Sequence, residues 1–177
     1  KPDGNISRAE YVSLLYRTAK KQGIIDDLQS ELMYLDLENS FWAYNHISIV
    51  KSYIDNKNYN VKFNDIFSEK LFYPNNEITR EEAAILTYFF TLPPVEFKDV
   101  SFSDIDFNYK FFDEIESITN NGIITGYPDE TFRPENNITR AEAVTIIKRL
   151  FSEIEYQKKS FIGDIKLIEN IEDTSYP

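Results

Sequence analysis

Three arginines, Arg8, Arg80 and Arg140, occupy one position of a recurring segment. A guanidinium presents a planar fork of N–H donors that matches a carboxylate or phosphate, which the point charge of a lysine does not. Each arginine follows a hydroxyl residue (Ser7, Thr79, Thr139) and stands two places before an acid (Glu10, Glu82, Glu142). Hydroxyl and acid three residues apart form a capping box, in which each side chain satisfies a backbone N–H that a helix start leaves orphaned. The arginine is then the first helical residue, where a cation opposes the helix dipole by about 0.3–1 kcal/mol. One such breach could be chance, but three at equivalent places mark function. A helix start with free backbone N–H groups and a guanidinium would be an anion receptor. The competing reading is that these arginines lie over an acidic surface.

The elements that must position them are legible in the same segments. The three copies run Lys1-Pro2-Asp3-Gly4-Asn5-Ile6-Ser7-Arg8-Ala9-Glu10, Tyr73 to Glu82 and Arg133 to Glu142, their arginines separated by 72 and 60 residues. Pro2, Pro74 and Pro134 favour an extended entry. Ile6, Ile78 and Ile138 precede the caps and are placed to staple onto Tyr11, Ala83 and Ala143. Apolar residues then recur with helical period, as in Ala143, Ile146, Ile147, Leu150 and Phe151, predicting three similar amphipathic helices around one axis. A second class of helix is predicted near residues 41–55 and 109–121. The latter ends on Asn121-Gly122-Ile123, a left-handed C-cap. Gly126-Tyr127-Pro128-Asp129 reads as a turn and Pro93-Pro94 as a linker. Strand-like alternation is confined to short pieces near 59–67 and 123–132. The expected fold is all-α, helix, long loop, helix, repeated.

Composition excludes several functions. The formal net charge of −11 over 177 residues disfavours nucleic acid and anionic membrane surfaces, which need clustered Lys and Arg. With 42% hydrophobic residues the chain can build a core. No apolar run reaches the roughly 18 residues of a membrane span. There is no Cys and one His, His46, so thiolate and His-based metal sites and a Ser-His-Asp triad are out of reach. No cofactor and no metal are expected. Asp99, Asp104, Asp106 and Asp129 invite calcium, but their spacing is not that of a calcium loop. Because Lys1 to Gly4 read as the middle of a motif, the true start is expected upstream, and the missing leader says nothing about export.

Gly122-Ile123-Ile124-Thr125-Gly126-Tyr127-Pro128-Asp129-Glu130-Thr131-Phe132-Arg133-Pro134, followed by Ile138-Thr139-Arg140-Ala141-Glu142, closely resembles the S-layer homology motif, GI-x-x-GY-x-DGTF-x-P and then ITRAE. Glu130 departs from it, where the family usually has Gly. The resemblance divides the chain into the second half of a first motif (1–33), a second motif (34–92), a third (95–151) and a C-terminal tail (152–177). The second motif lacks a GI-x-x-GY segment and carries Asp55 through Phe72 instead. In the tail, Phe161-Ile162-Gly163-Asp164-Ile165 faintly echoes Phe102-Ser103-Asp104-Ile105, which suggests that the tail packs back in place of the first motif's absent helix.

The resemblance implies a pseudo-threefold spindle around a central three-helix bundle, within one monomer. It implies an extracellular, non-enzymatic module on the bacterial cell wall or S-layer, binding secondary cell-wall polysaccharide, often pyruvylated, in grooves between repeats. The expected ligand-binding residues are Arg8, Arg80, Arg140, Gly126, Tyr127 and Trp42, although Trp42 also fits a core role and Tyr127 could merely close its turn. Ser7, Glu10, Thr79, Glu82, Thr139 and Glu142 are expected to be structural caps. His46 reads as a surface or partly buried helix residue. No catalytic residue is assigned, since the recurring acids are explained by capping and no carboxylate pair forms a glycosidase pattern. The alternative function is a structural or protein-interaction module whose sugar sites have degenerated.

Overall fold

The computed structural model describes residues 2–172, except 30, 33, 69 and 95–97, with side chains described through Lys159. Among the described residues the protein is all-α: α1 (Arg8–Lys21), α2 (Tyr44–Asp55), α3 (Phe63–Ile66), α4 (Arg80–Tyr88), α5 (Phe112–Asn120) and α6 (Arg140–Glu172). No β-strand occurs among them. The piece near 59–67 forms α3 instead, opened by the Asp65 carboxylate on the Lys62 N–H and the Asp55 carboxylate on the Phe63 N–H.

All three capping boxes form. Ser7 Oγ accepts the Glu10 N–H at 3.3 Å while Glu10 Oε2 accepts the Ser7 N–H at 2.9 Å. Thr79 with Glu82, and Thr139 with Glu142, do the same. Losing such a cap costs about 1 kcal/mol. Ile6, Ile78 and Ile138 and their partners Tyr11, Ala83 and Ala143 are all buried.

The three segments hand hydrogen bonds around a closed ring. Ile78 N–H donates to Ile6 O, Ile138 N–H to Ile78 O, and Ile6 N–H to Ile138 O, at 3.0–3.2 Å. Just inside each helix the pattern repeats. Arg8 and Ala9 donate to Asn76 O and Pro74 O. Arg80 and Glu81 donate to Asn136 O and Pro134 O, and Arg140 and Ala141 to Gly4 O and Pro2 O. This corrects the free helix starts expected from sequence. The first two N–H groups of each helix are consumed by the next segment's loop, and the third by the cap hydroxyl. A buried orphan donor is costly, so the ring closes them off.

The ring gathers α1, α4 and α6, each of which touches the other two. Tyr11 ties α1 to α4, its hydroxyl donating to Ala83 O at 3.2 Å and sharing a 2.7 Å hydrogen bond with Thr87 Oγ1. α2 packs on α1, and α5 on α4. The helices are not equivalent, however. α4 also meets α3 and α5, and Arg80 and every residue from Glu82 to Thr87 are buried. A helix buried on most of its surface needs no narrow amphipathic stripe.

Gly122 lies at φ +66° and closes α5 as expected, with its N–H on Thr119 O and that of Ile123 on Ile118 O. Gly23 ends α1 the same way. α6 runs unbroken for 33 residues and so absorbs most of the tail. Ile154 of the tail is buried, and the side chains of Phe161 to Ile165, on which the expectation that the tail packs back rests, lie outside the described residues.

Candidate functional site

The third motif's loop is built on one carboxylate. Asp104 accepts the N–H groups of Phe132 and Arg133 at 2.7 and 2.6 Å, holding Arg133 at φ +60°. Asp36 does the same for Phe72 and Tyr73 at 2.9 and 2.7 Å, with Tyr73 at φ +53°. Left-handed backbone costs a non-glycine residue roughly 1–2 kcal/mol, and two charge-assisted hydrogen bonds offset it. Asp104 is therefore a loop clasp. Asp129 is spent on Thr131 and Arg133, which hold its carboxyl at about 2. No group of acids that could hold a metal occurs among the described residues.

Against this loop the start of α4 and one face of α6 enclose a trough of about 310 Å³. Its walls include Arg80, Thr125, Gly126, Tyr127, Glu142 and Arg149. Arg80 is 7% exposed. Its Nη2 donates to Thr125 O at 2.5 Å, and its guanidinium lies 4.8 Å from the Tyr127 ring and 5.1 Å from that of Phe132. It has no ion pair among the described residues, and its buried Nε has no hydrogen-bond partner. Burial pushes its pKa below the ordinary value, only partly opposed by Tyr127 and Glu142. A desolvated, unpaired guanidinium is costly to keep, and an anion entering the trough would relieve that cost.

The other two arginines are engaged. Arg8 forks onto Glu82, donates to Phe72 O at 2.9 Å, and lies 5.3 Å from the Phe67 ring. Arg140 reaches Glu10 at 2.5 Å and is 42% exposed at its side chain. Two of the three capping acids thus also bind an arginine of another segment. In Glu10, burial raises the carboxyl pKa, but hydrogen bonds from Arg140 and Ser7 outweigh it and hold the group below its usual range.

Of the residues expected at a ligand site, the structure brings Arg80, Gly126 and Tyr127 together. Gly126 is required by packing, because a Cβ there would lie 2.5 Å from the Phe102 ring. Tyr127 closes its turn through its N–H on Thr131 O at 2.8 Å, and its ring also lies 4.1 Å from the Arg133 guanidinium. Trp42 does not line the trough. At 54% exposed, leaning on Phe41, it is not a core residue either, which corrects that reading. His46 is partly buried as expected, stacked on Tyr16 at 4.6 Å and bonded to Ser13 Oγ.

Arg149 was not singled out from sequence, and Asp104, weighed there only as a calcium candidate, and Asp36 were not read as loop clasps. The clasps did leave a signal, an Asp between apolar or small neighbours in both Leu35-Asp36-Leu37 and Ser103-Asp104-Ile105.

The model of the S-layer homology domain matches residues 67–84 and 101–144, which hold the second and third capping boxes and the trough loop. The chain is 34% identical over 156 residues to the cellulosome-anchoring protein of Acetivibrio thermocellus, covering 84% of this chain and 32% of that protein. It is 33% identical over 162 residues to cell surface glycoprotein 1 of the same bacterium, covering 84% of this chain and 6% of the relative. It is 34% identical over 76 residues to the outer membrane protein SlpA of Thermus thermophilus, covering 43% of this chain and 8% of that protein. The chain thus spans a third or less of the length of these relatives.

Proposed function

Because this chain belongs to the S-layer homology domain family, we propose that it anchors the protein it is part of, non-covalently, to secondary cell-wall polysaccharide outside the cell. The ligand group is an acidic substituent of the glycan, such as the carboxylate of a pyruvyl ketal, and it enters the Arg80 trough. The observation that carries this reading is the buried Arg80 guanidinium, with an unsatisfied Nε, opening onto a trough with no carboxylate paired to it. Tyr127 adds an aromatic wall beside the cation. Such a site binds by charge-assisted hydrogen bonds and needs no catalytic group. No helix among the described residues is long and apolar enough to cross a membrane. The ring of segments closes within one chain, which supports a monomer with internal pseudo-threefold organisation.

A second reading applies at one place. On the Arg8 side, Glu82 neutralises the guanidinium and Phe67 covers it. That groove serves as a structural contact between segments and not as a sugar site.

Co-sedimentation of the purified chain with wall sacculi, before and after chemical removal of the secondary polysaccharide, tests the proposal. Binding that vanishes with the polysaccharide supports it. Binding that survives points to peptidoglycan, and no binding to either favours an interaction module.

A further inference from the structure

The Arg80 trough has a second cation at its other end. Ala141, Thr145 and Arg149, four residues apart, form one face of α6 and one wall of the trough. The facing wall is the strip Ile123 to Tyr127. Arg149 Nη1 rests on Ile123 O at 3.4 Å, as Arg80 Nη2 rests on Thr125 O at 2.5 Å. Carbonyls two residues apart along an extended strip are separated by at most about 7 Å. The two guanidiniums therefore line one cavity, no more than about 13 Å apart.

Like charges so placed repel, and each would gain from a carboxylate between them. No such pair forms: neither Arg80 nor Arg149 is in an ion pair among the described residues of this acidic chain. The acid in the trough, Glu142, spends one carboxylate oxygen, Oε2, on the Thr139 N–H and hydroxyl and offsets the desolvation of Arg80 only in part. Arg149 uses one of its five N–H donors, in a single long hydrogen bond.

The Arg8 side has a different residue in this register. Arg149 stands nine residues after Arg140 on α6, and the residue nine after Arg80, at the C-cap of α4, is Phe89, which is fully buried. The helix that follows the Arg8 groove thus ends on a packed ring at the register where the helix that follows the Arg80 trough carries a cation.

We propose that Arg149 is a second anion-contacting residue of the Arg80 trough, so that the site takes a glycan segment presenting negative charge to both guanidiniums at once. This rests on the anchor reading and makes it more specific. A ligand with charge on successive groups gains at both ends, whereas a neutral glycan gains at neither.

The test measures binding of polysaccharide released from wall sacculi to the wild-type chain, Arg149→Gln and Arg149→Lys, across a range of salt concentrations. Arg149→Gln is expected to weaken binding about tenfold, as the loss of one charge-assisted contact would, and to flatten the salt dependence. Arg149→Lys should recover part of the affinity and the steeper salt dependence, which a merely structural role would not produce. Wild-type affinity and salt dependence in Arg149→Gln would overturn this inference and leave the anchor reading standing. Failure of the wild-type chain to bind the polysaccharide would overturn both.

Discussion

Arg8 forks onto Glu82, with Nε and Nη2 3.0 and 2.5 Å from its two carboxylate oxygens, and so joins the first segment to the second across 74 residues of chain. The pair is mostly buried, at 16% and 9% side-chain exposure. Arg8→Ala would leave Glu82 without its cation, and removing one partner of such a pair is far costlier than removing both. We expect a loss of about 2–3 kcal/mol of stability, read by urea denaturation, with wall binding of the folded fraction unchanged. Loss of binding at full stability would show that Arg8 contacts ligand.

Arg80 should behave in the opposite way. Its guanidinium is buried without a carboxylate, so an apolar side chain of similar length removes a desolvated charge and keeps the packing. Arg80→Met is expected to leave the melting temperature equal or higher, while wall binding falls by about tenfold or more, the loss of a charge-assisted contact. Such a trade of stability for function is typical where a local rule is broken at a site. Retained binding in Arg80→Met would remove this residue from the site.

The contrast between these arginines shows where sequence reading stops. The capping boxes, the buried isoleucines and the Gly122 terminus are local, decided within a few residues, and the structure carries them as read. The fates of the arginines are not local. Arg8 and Arg140 stand in the same motif as Arg80, yet their partners, Glu82 and Glu10, come from other segments. The free helix starts expected from sequence are filled by carbonyls of Asn76, Asn136 and Gly4, which no local pattern announces. Arg149 escaped notice because a cation on a helix face reads as a solvated residue until the loop at Ile123 to Tyr127 is placed across the trough from it.

Asp104 should matter more to stability than its half-exposed loop suggests. Its two oxygens accept two successive N–H groups, of which Arg133 is in left-handed backbone. Asp104→Asn keeps the shape but turns an NH₂ toward one of those donors. We expect a loss of about 2 kcal/mol, together with weaker wall binding, because the same loop forms one side of the Arg80 trough. Asp36→Asn should cost a similar amount without affecting binding.

Glu130 occupies φ +62° in the turn that begins at Tyr127. Its side chain is exposed, so the left-handed strain has no packing to offset it. Glu130→Gly restores the residue usual at this motif position and removes that strain, against a more flexible unfolded chain. The net expectation is a gain of about 0.5–1 kcal/mol, visible as a higher denaturation midpoint. A loss of stability would mean that the Glu130 side chain makes a contribution the turn geometry does not explain.

Glu10 gives the ring a pH dependence of defined sign. Its folded-state pKa lies below its usual carboxylate value, so the protein binds this proton less readily than the unfolded chain does. The resulting stability is fully present above the unfolded carboxylate pKa of about 4.3, and is lost as pH falls through the lower folded value. Glu10→Gln removes the carboxylate that joins Arg140 to the Ser7 cap. Thermal melts from pH 7 to pH 3 should therefore show wild type more stable than Glu10→Gln at neutral pH, with the difference shrinking through the acid range. The ion pair is about a third exposed, so high salt should reduce the same difference at pH 7. A constant difference across pH would mean that Glu10 acts through cap geometry alone, and that the link from Arg140 to the first segment carries no net stability.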